Sequence, residues 1–275
     1  MSALLAPPRP AFPGLPLSAF DPFHVGMDEL GRQVVIDFND RPGIVVAGEP
    51  GSGKSSIVNL VTGHGALSRD CKLVLIDGKW VELGPWEDCA ELFVGASLAE
   101  ATAAFEMMQR VIDERLKLLR AAGRRKVTKA DGLDAWLVVI DEFALFSATL
   151  GTKAEREKFS ALVRDVVARG RACAVWVILA TQRPSHNIVD PALRDLFGYR
   201  CAFRCTTDAS SDIVLGHGWA SKGYNASLID PEARGVAWLL AEDGFPRRVK
   251  AAYLDDAQVA RLARRAALLR GADHD

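Results

Sequence analysis

The segment Gly48, Glu49, Pro50, Gly51, Ser52, Gly53, Lys54, Ser55 constrains this chain more than any other stretch. Two glycines stand five residues apart and are followed by Lys and Ser. The apolar run Ile44 to Ala47 leads into the segment, and Ser56 to Val61 reads as the start of a helix. Strand, glycine-rich turn and helix in that order form a phosphate-binding loop. Glycines let the backbone curl until several N–H groups point inward, and the helix adds its positive end. Residues Gly48 to Ser56 are therefore the expected nucleotide cradle. Lys54 would reach the β and γ phosphates, and the Ser55 hydroxyl would ligate Mg²⁺, so ATP and Mg²⁺ are the expected cofactors.

Two further segments end apolar runs with polar chemistry. Leu137 to Ile140 runs into Asp141 and Glu142, and Val175 to Ala180 runs into Thr181, Gln182, Arg183, Pro184 and Ser185. In a parallel sheet both ends lie at the carboxyl edge, where the loop also sits and where open α/β folds bind ligands. Asp141 is expected to hold the metal and Glu142 to polarise the attacking water, with Gln182 touching both the γ phosphate and that water.

Strands are expected at Gln33 to Phe38, Gly43 to Ala47, Lys72 to Asp77, Trp136 to Asp141, Ala174 to Ala180, Arg200 to Arg204, Val236 to Ala241 and Arg248 to Leu254. Four of them have apolar interiors, the mark of a sheet covered on both faces. Helical stretches lie between. One opens at a capping box of Ser97 and Glu100 and runs to Ala122, with Met107, Met108, Val111, Leu116, Leu118 and Leu119 as its apolar face. Another runs from Thr152 to about Arg169. Strands alternating with helices predict an α/β fold with a mostly parallel sheet and helices on both faces.

At 275 residues the chain can bury a full core without a metal or disulfide. Six prolines in the first 22 residues mark residues 1–20 as an arm or linker, leaving 21–254 as the main domain and 255–275 as a C-terminal helix. Lys and Arg number 34 against 35 Asp and Glu, which excludes coating nucleic acid by bulk positive charge. The five cysteines are scattered in apolar runs and favour buried thiols in a reducing cytosol; Cys201 and Cys205 lack a second ligand pair. No apolar run is long enough to span a membrane, so a cytoplasmic location is expected, with recruitment to a membrane by a partner protein as an option.

Leu73 to Glu82 (LVLIDGKWVE), Ile140 to Ala144 (IDEFA), Leu179 to Ser185 (LATQRPS) and Ala202 to Arg204, together with the phosphate loop, resemble the FtsK/SpoIIIE family of DNA translocases. The resemblance covers about Phe23 to Leu254. It implies a RecA-like P-loop NTPase core that assembles as a homo-oligomeric ring, usually hexameric, and drives double-stranded DNA through its pore by ATP hydrolysis. By position, Arg171 matches the arginine that completes a neighbouring subunit's site, and Arg183 leaves the sheet where a pore-facing loop begins. Neither the membrane-spanning region nor the winged-helix domain of the best-known members is expected within these 275 residues. That difference suggests transfer of plasmid, integrative-element or phage DNA.

Between Arg110 and Lys129, eight basic residues stand against Asp113 and Glu114, and Arg124, Arg125 and Lys126 form a further DNA or subunit-contact candidate. Two other functional classes share the motifs. One is a protein-export ATPase of the type VII kind; the other is a nucleotide-switched assembly module with little turnover.

Overall fold

The computed structural model of the chain describes residues 17–242 and 244–271. Ten strands form one sheet: β1 (Phe23–Asp28), β2 (Gln33–Ile36), β3 (Ile44–Ala47), β4 (Cys71–Ile76), β5 (Leu92–Val94), β6 (Ala135–Ile140), β7 (Val175–Thr181), β8 (Tyr199–Phe203), β9 (Val236–Ala241) and β10 (Arg247–Ala251). Their spatial order is β2-β1-β10-β9-β8-β3-β7-β6-β4-β5. The block β8-β3-β7-β6-β4-β5 is parallel throughout. The remaining strands extend it antiparallel from β8. All eight expected strands are present. The two additional ones, β1 and β5, are an interrupted strand with Gly26 at its bulge and a three-residue edge, both too irregular for a periodicity signal.

The helices are α1 (Lys54–Leu67), α2 (Leu98–Ala121), α3 (Lys153–Gly170), α4 (Pro191–Arg194), α5 (Asp208–Leu215) and α6 (Asp256–Gly271). Every residue of β3 and of β7 is buried, so both sheet faces are covered there. Handedness explains this. The crossover through α1 runs from β3 outward to β4, whereas those through α2 and α3 run back inward, and right-handed connections in opposite directions lie on opposite faces.

The α2 face differs from the expected one. Its buried stripe is Leu98, Ala101, Ala104, Phe105, Met108, Ile112, Arg115 and Leu119, while Leu118 is exposed. Small and aromatic residues at i, i+3, i+4 spacing define the packed side, and an arginine completes it. Arg115 donates to the carbonyls of Cys173 and Asp134, each at 2.6 Å. It belongs to the interior and not to a basic surface. Of the α2 capping box only one half forms: the Ser97 hydroxyl accepts from Glu100 N at 3.2 Å. The complete box is at α3, where Glu155 also accepts from Thr152 N at 2.7 Å.

The first and the last of the described residues pack around α1. Ser18 Oγ and Ala19 N donate to the Asp70 carboxylate at 2.5 and 2.8 Å, and the His64 ring stacks on Phe23 with centroids 3.9 Å apart. Residues 1–16 of the proposed arm and residues 272–275 of the tail lie outside the described residues. Helix α6 buries Val259, Ala263 and Ala266. Its Arg270 donates to the carbonyls of Gly65 and Ala66 at the end of α1 and of Cys71 at the start of β4, at 2.7 to 3.0 Å.

Candidate functional site

The strand order brings the three motifs together. Strand β3 lies between β7 and β8, with Ala47 in register with both Thr181 and Ala202. Strand β6 lies on the far side of β7, with Ile140 opposite Leu179. Thr181 therefore stands between the phosphate loop and the two acids, all at the carboxyl edge.

The loop is shaped by close approach. A Cβ on Gly48 would come within 2.6 Å of the Phe203 Cβ, and one on Gly53, which has φ of 107°, within 2.5 Å of the Gly235 backbone. Gly235 N also donates to Ser52 O at 2.8 Å. Only glycine satisfies both positions. Gly53 is the N-cap of α1 and supplies no side-chain bond to the helix N–H groups. Helices α2, α3, α5 and α6 are all capped at this end, by Ser97, Thr152, Thr207 and Asp255. Apart from Ser56 N, which donates to Gly53 O at 3.0 Å, the donors at the start of α1 are thus left for an external anion, the arrangement that phosphate sites require.

Lys54, 3 % exposed, donates from Nζ to Asp141 Oδ1 at 2.9 Å; Asp141 is 1 % exposed. Glu142 is also buried and is held from the neighbouring strand. The Thr181 hydroxyl donates to Glu142 Oε1 at 2.7 Å, and Gln182 N donates to Oε2 at 3.1 Å. Thr181 Oγ1 in turn accepts from Arg183 N at 3.2 Å. Sequence reasoning missed Thr181. Its signal was its place directly before Gln182 at the end of an apolar strand, but only the insertion of β7 between β3 and β6 gives it the Glu142 carboxylate. Gln182 engages Glu142 through its backbone, and its side chain is half-buried at the same edge. Ser55 and Ser56 open α1, half-buried, beside Lys54. The Ser55 hydroxyl and Asp141 carboxylate are hard oxygen donors of the kind Mg²⁺ takes.

Three remaining candidates lie elsewhere. Arg183 is exposed at the carboxyl edge. Arg171 is at the amino edge, in the turn that precedes β7, where it donates to Asp40 O at 2.6 Å and faces Glu242 at 3.6 Å. Arg124 to Lys126 also lie at the amino edge, after α2. Arg124 pairs with Asp131, and Lys126 lies 3.6 Å from Asp40. Arg125, Lys126, Arg169 and Arg171 share the lining of one concavity of about 470 Å³. The DNA candidates thus divide between opposite edges of the sheet.

Cys201 and Cys205 are buried thiols. Burial pushes Cys205 up to about 12 and Cys201 higher still. Among the described residues, no group of three or more His, Cys, Asp or Glu is placed to hold a metal ion. No helix among them is long and apolar enough to cross a membrane.

Comparison with known proteins shows what the whole chain is similar to. The FtsK/SpoIIIE family model matches residues 20–136. The DNA translocase FtsK of Pseudomonas aeruginosa is 28 % identical over 289 residues, an alignment that covers 91 % of this chain and 34 % of that protein. The chain spans about a third of the length of the first curated relatives it matches. Among solved structures, the pCW3 conjugation coupling protein TcpA with ATPγS superposes with a TM-score of 0.74 at 23 % identity, covering 90 % of this chain and 70 % of that one. ATPases 2 and 3 of EssC from Geobacillus thermodenitrificans superpose at 0.76 with 15 % identity, covering 98 % and 53 %. These likenesses establish the RecA-like P-loop ATPase fold. Over residues 20–136, which contain the phosphate loop, this chain is similar to the FtsK/SpoIIIE family.

Proposed function

We propose that the chain is the motor of an ATP-dependent double-stranded DNA translocase that works as a homo-oligomeric ring. The observation that carries this reading is the Lys54, Asp141, Glu142 and Thr181 constellation beside an uncapped glycine-shaped loop. ATP phosphates would occupy the N–H groups of Gly51, Gly53, Lys54 and Ser55; those of Ser52 and Ser56 already donate to Glu49 O at 3.1 Å and Gly53 O at 3.0 Å. Lys54 would exchange Asp141 for phosphate oxygens, leaving Asp141 with Ser55 to hold Mg²⁺, which supplies charge neutralisation on the β and γ phosphates. Glu142, kept in one orientation by Thr181 and Gln182 N, would accept the proton of the attacking water. A link from Glu142 through Thr181 to Arg183 N ties the hydrolytic group to the loop that leaves the sheet.

Arg171 sits away from its own subunit's nucleotide and is half-exposed, as a residue serving a neighbouring copy must be. A hexamer is the ring size expected from the family. Transfer of plasmid, integrative-element or phage DNA, with a membrane protein as recruiting partner, is the proposed setting. The fold is shared with the type VII secretion ATPase EccC of Thermomonospora curvata, so fold alone does not separate the two uses; the sequence relatives named above are DNA translocases. The decisive experiment is phosphate release by the purified chain with and without duplex DNA at low salt. Strong stimulation that Lys54→Ala abolishes supports the proposal, and indifference to DNA sinks it.

A further inference from the structure

The phosphate loop contains an acid. Glu49 follows its first glycine, and a carboxylate inside an anion-binding loop opposes the triphosphate that the loop is built to hold. The folded chain surrounds this carboxylate. Arg204 Nη2 lies 2.5 Å from Glu49 Oε2, and the Thr206 hydroxyl donates to Oε1 at 2.7 Å. Glu49 N donates to Arg204 O at 2.9 Å, so backbone and side chain of one residue hold the same partner. The two side chains are 30 % and 21 % exposed, partly withdrawn from water, which strengthens a charged pair. The contact of Gly48 with Phe203 fixes the loop against the end of β8, so the pair forms without a search through rotamers of a mobile loop.

We propose that Arg204 is a positioning residue for nucleotide binding: by neutralising Glu49 and turning it toward β8, it keeps the loop's own negative charge away from the ATP phosphates. The inference rests on the nucleotide reading of the loop and adds a residue that the motifs do not mark. It carries a signature that a purely structural role lacks. Removing Arg204 releases a charge, so the damage grows with ligand charge, shrinks with salt and is reversed by removing the released charge.

The experiment measures binding of a non-hydrolysable ATP analogue and of ADP, each with Mg²⁺, by titration calorimetry at low and high salt. For Arg204→Ala the analogue's Kd is expected to rise about tenfold and ADP's by less, with the difference narrowing at high salt. In the double variant Arg204→Ala, Glu49→Gln, the analogue's Kd is expected to return to within about twofold of the parent. Thr206→Ala removes one donor to the same carboxylate and is expected to raise Kd about threefold, which carries the test if Arg204→Ala fails to fold. A double variant as weak as Arg204→Ala, or no loss in either single variant, overturns the proposal. A parent chain that binds neither nucleotide overturns the nucleotide reading itself, a result separable from the other two.

Discussion

The two edges of the parallel block use charge in opposite ways. At the carboxyl edge, Lys54, Asp141 and Glu142 are buried, and each finds its partner within the site. At the amino edge, Arg125 and Arg171 are exposed; Arg171 meets Asp40 and Glu242, themselves at the surface. Buried charges must be paired to exist at all, and removing one partner strands the other at a cost of roughly 3 to 5 kcal/mol. Exposed pairs contribute about 0 to 1 kcal/mol and exchange partners easily. One edge is therefore closed on groups of the chain itself, and the other is open to something outside it.

The largest expected effect tests the closed edge. Glu142→Gln keeps the hydrogen bond from Thr181 but removes the base, so turnover should fall on the order of 10² to 10⁴ while ATP binding persists. A steady-state phosphate assay beside equilibrium binding checks it. Comparable loss of binding would mean that Glu142 shapes the pocket instead.

Next comes the open edge. Arg171→Ala and Lys54→Ala chains should each be inactive alone yet recover part of their activity when mixed, because the defects lie on different edges and the proposed ring would bring the two edges into one composite site. Absence of recovery across mixing ratios removes Arg171 from the neighbour's chemistry.

Two stability measurements sharpen the contrast at the amino ends of the strands, where α1 terminates. Arg270→Ala leaves the carbonyls of Gly65, Ala66 and Cys71 without their charged donor. It should cost about 2 to 4 kcal/mol, seen as a Tm lower by roughly 5 to 10 °C with turnover per folded molecule retained. The smallest effect concerns His64. Burial lowers its pKa from the usual 6.5, so the folded chain keeps the ring neutral where the unfolded chain takes up a proton. The stability this represents is present above pH 6.5 and is lost as pH falls below it. Tm should decline from pH 7 to 5.5, and the decline should be shallower in His64→Gln; equal slopes would assign the acid sensitivity to other groups.

Much of this was legible because it is local. The phosphate loop, the acids after Ile140, and Gln182 after Thr181 each sit at the end of an apolar run, and chain polarity alone sends such ends to one edge. Charge counting misled for the same reason that it is local. The basic excess from Arg110 to Lys129 includes Arg115, which caps interior carbonyls, and Arg124, Lys126 and Lys129, which face Asp131, Asp40 and Asp21. Those acids are near in space, and all but Asp131 are far in sequence.

By itself the sequence pointed to nucleotide chemistry, since a glycine loop with Lys54 and Ser55 and a strand ending in Asp141 and Glu142 have few other uses. It also determined the alternation of strands and helices, which periodicity encodes residue by residue. Only the tertiary structure decided that β7 separates β3 from β6, giving Glu142 to Thr181, and that β8 closes over the loop, giving Glu49 to Arg204. The physical reason is that spatial strand order is a competition among long-range pairings. Partners 39 or 155 residues apart are chosen by how the whole sheet packs, and no window of sequence contains both.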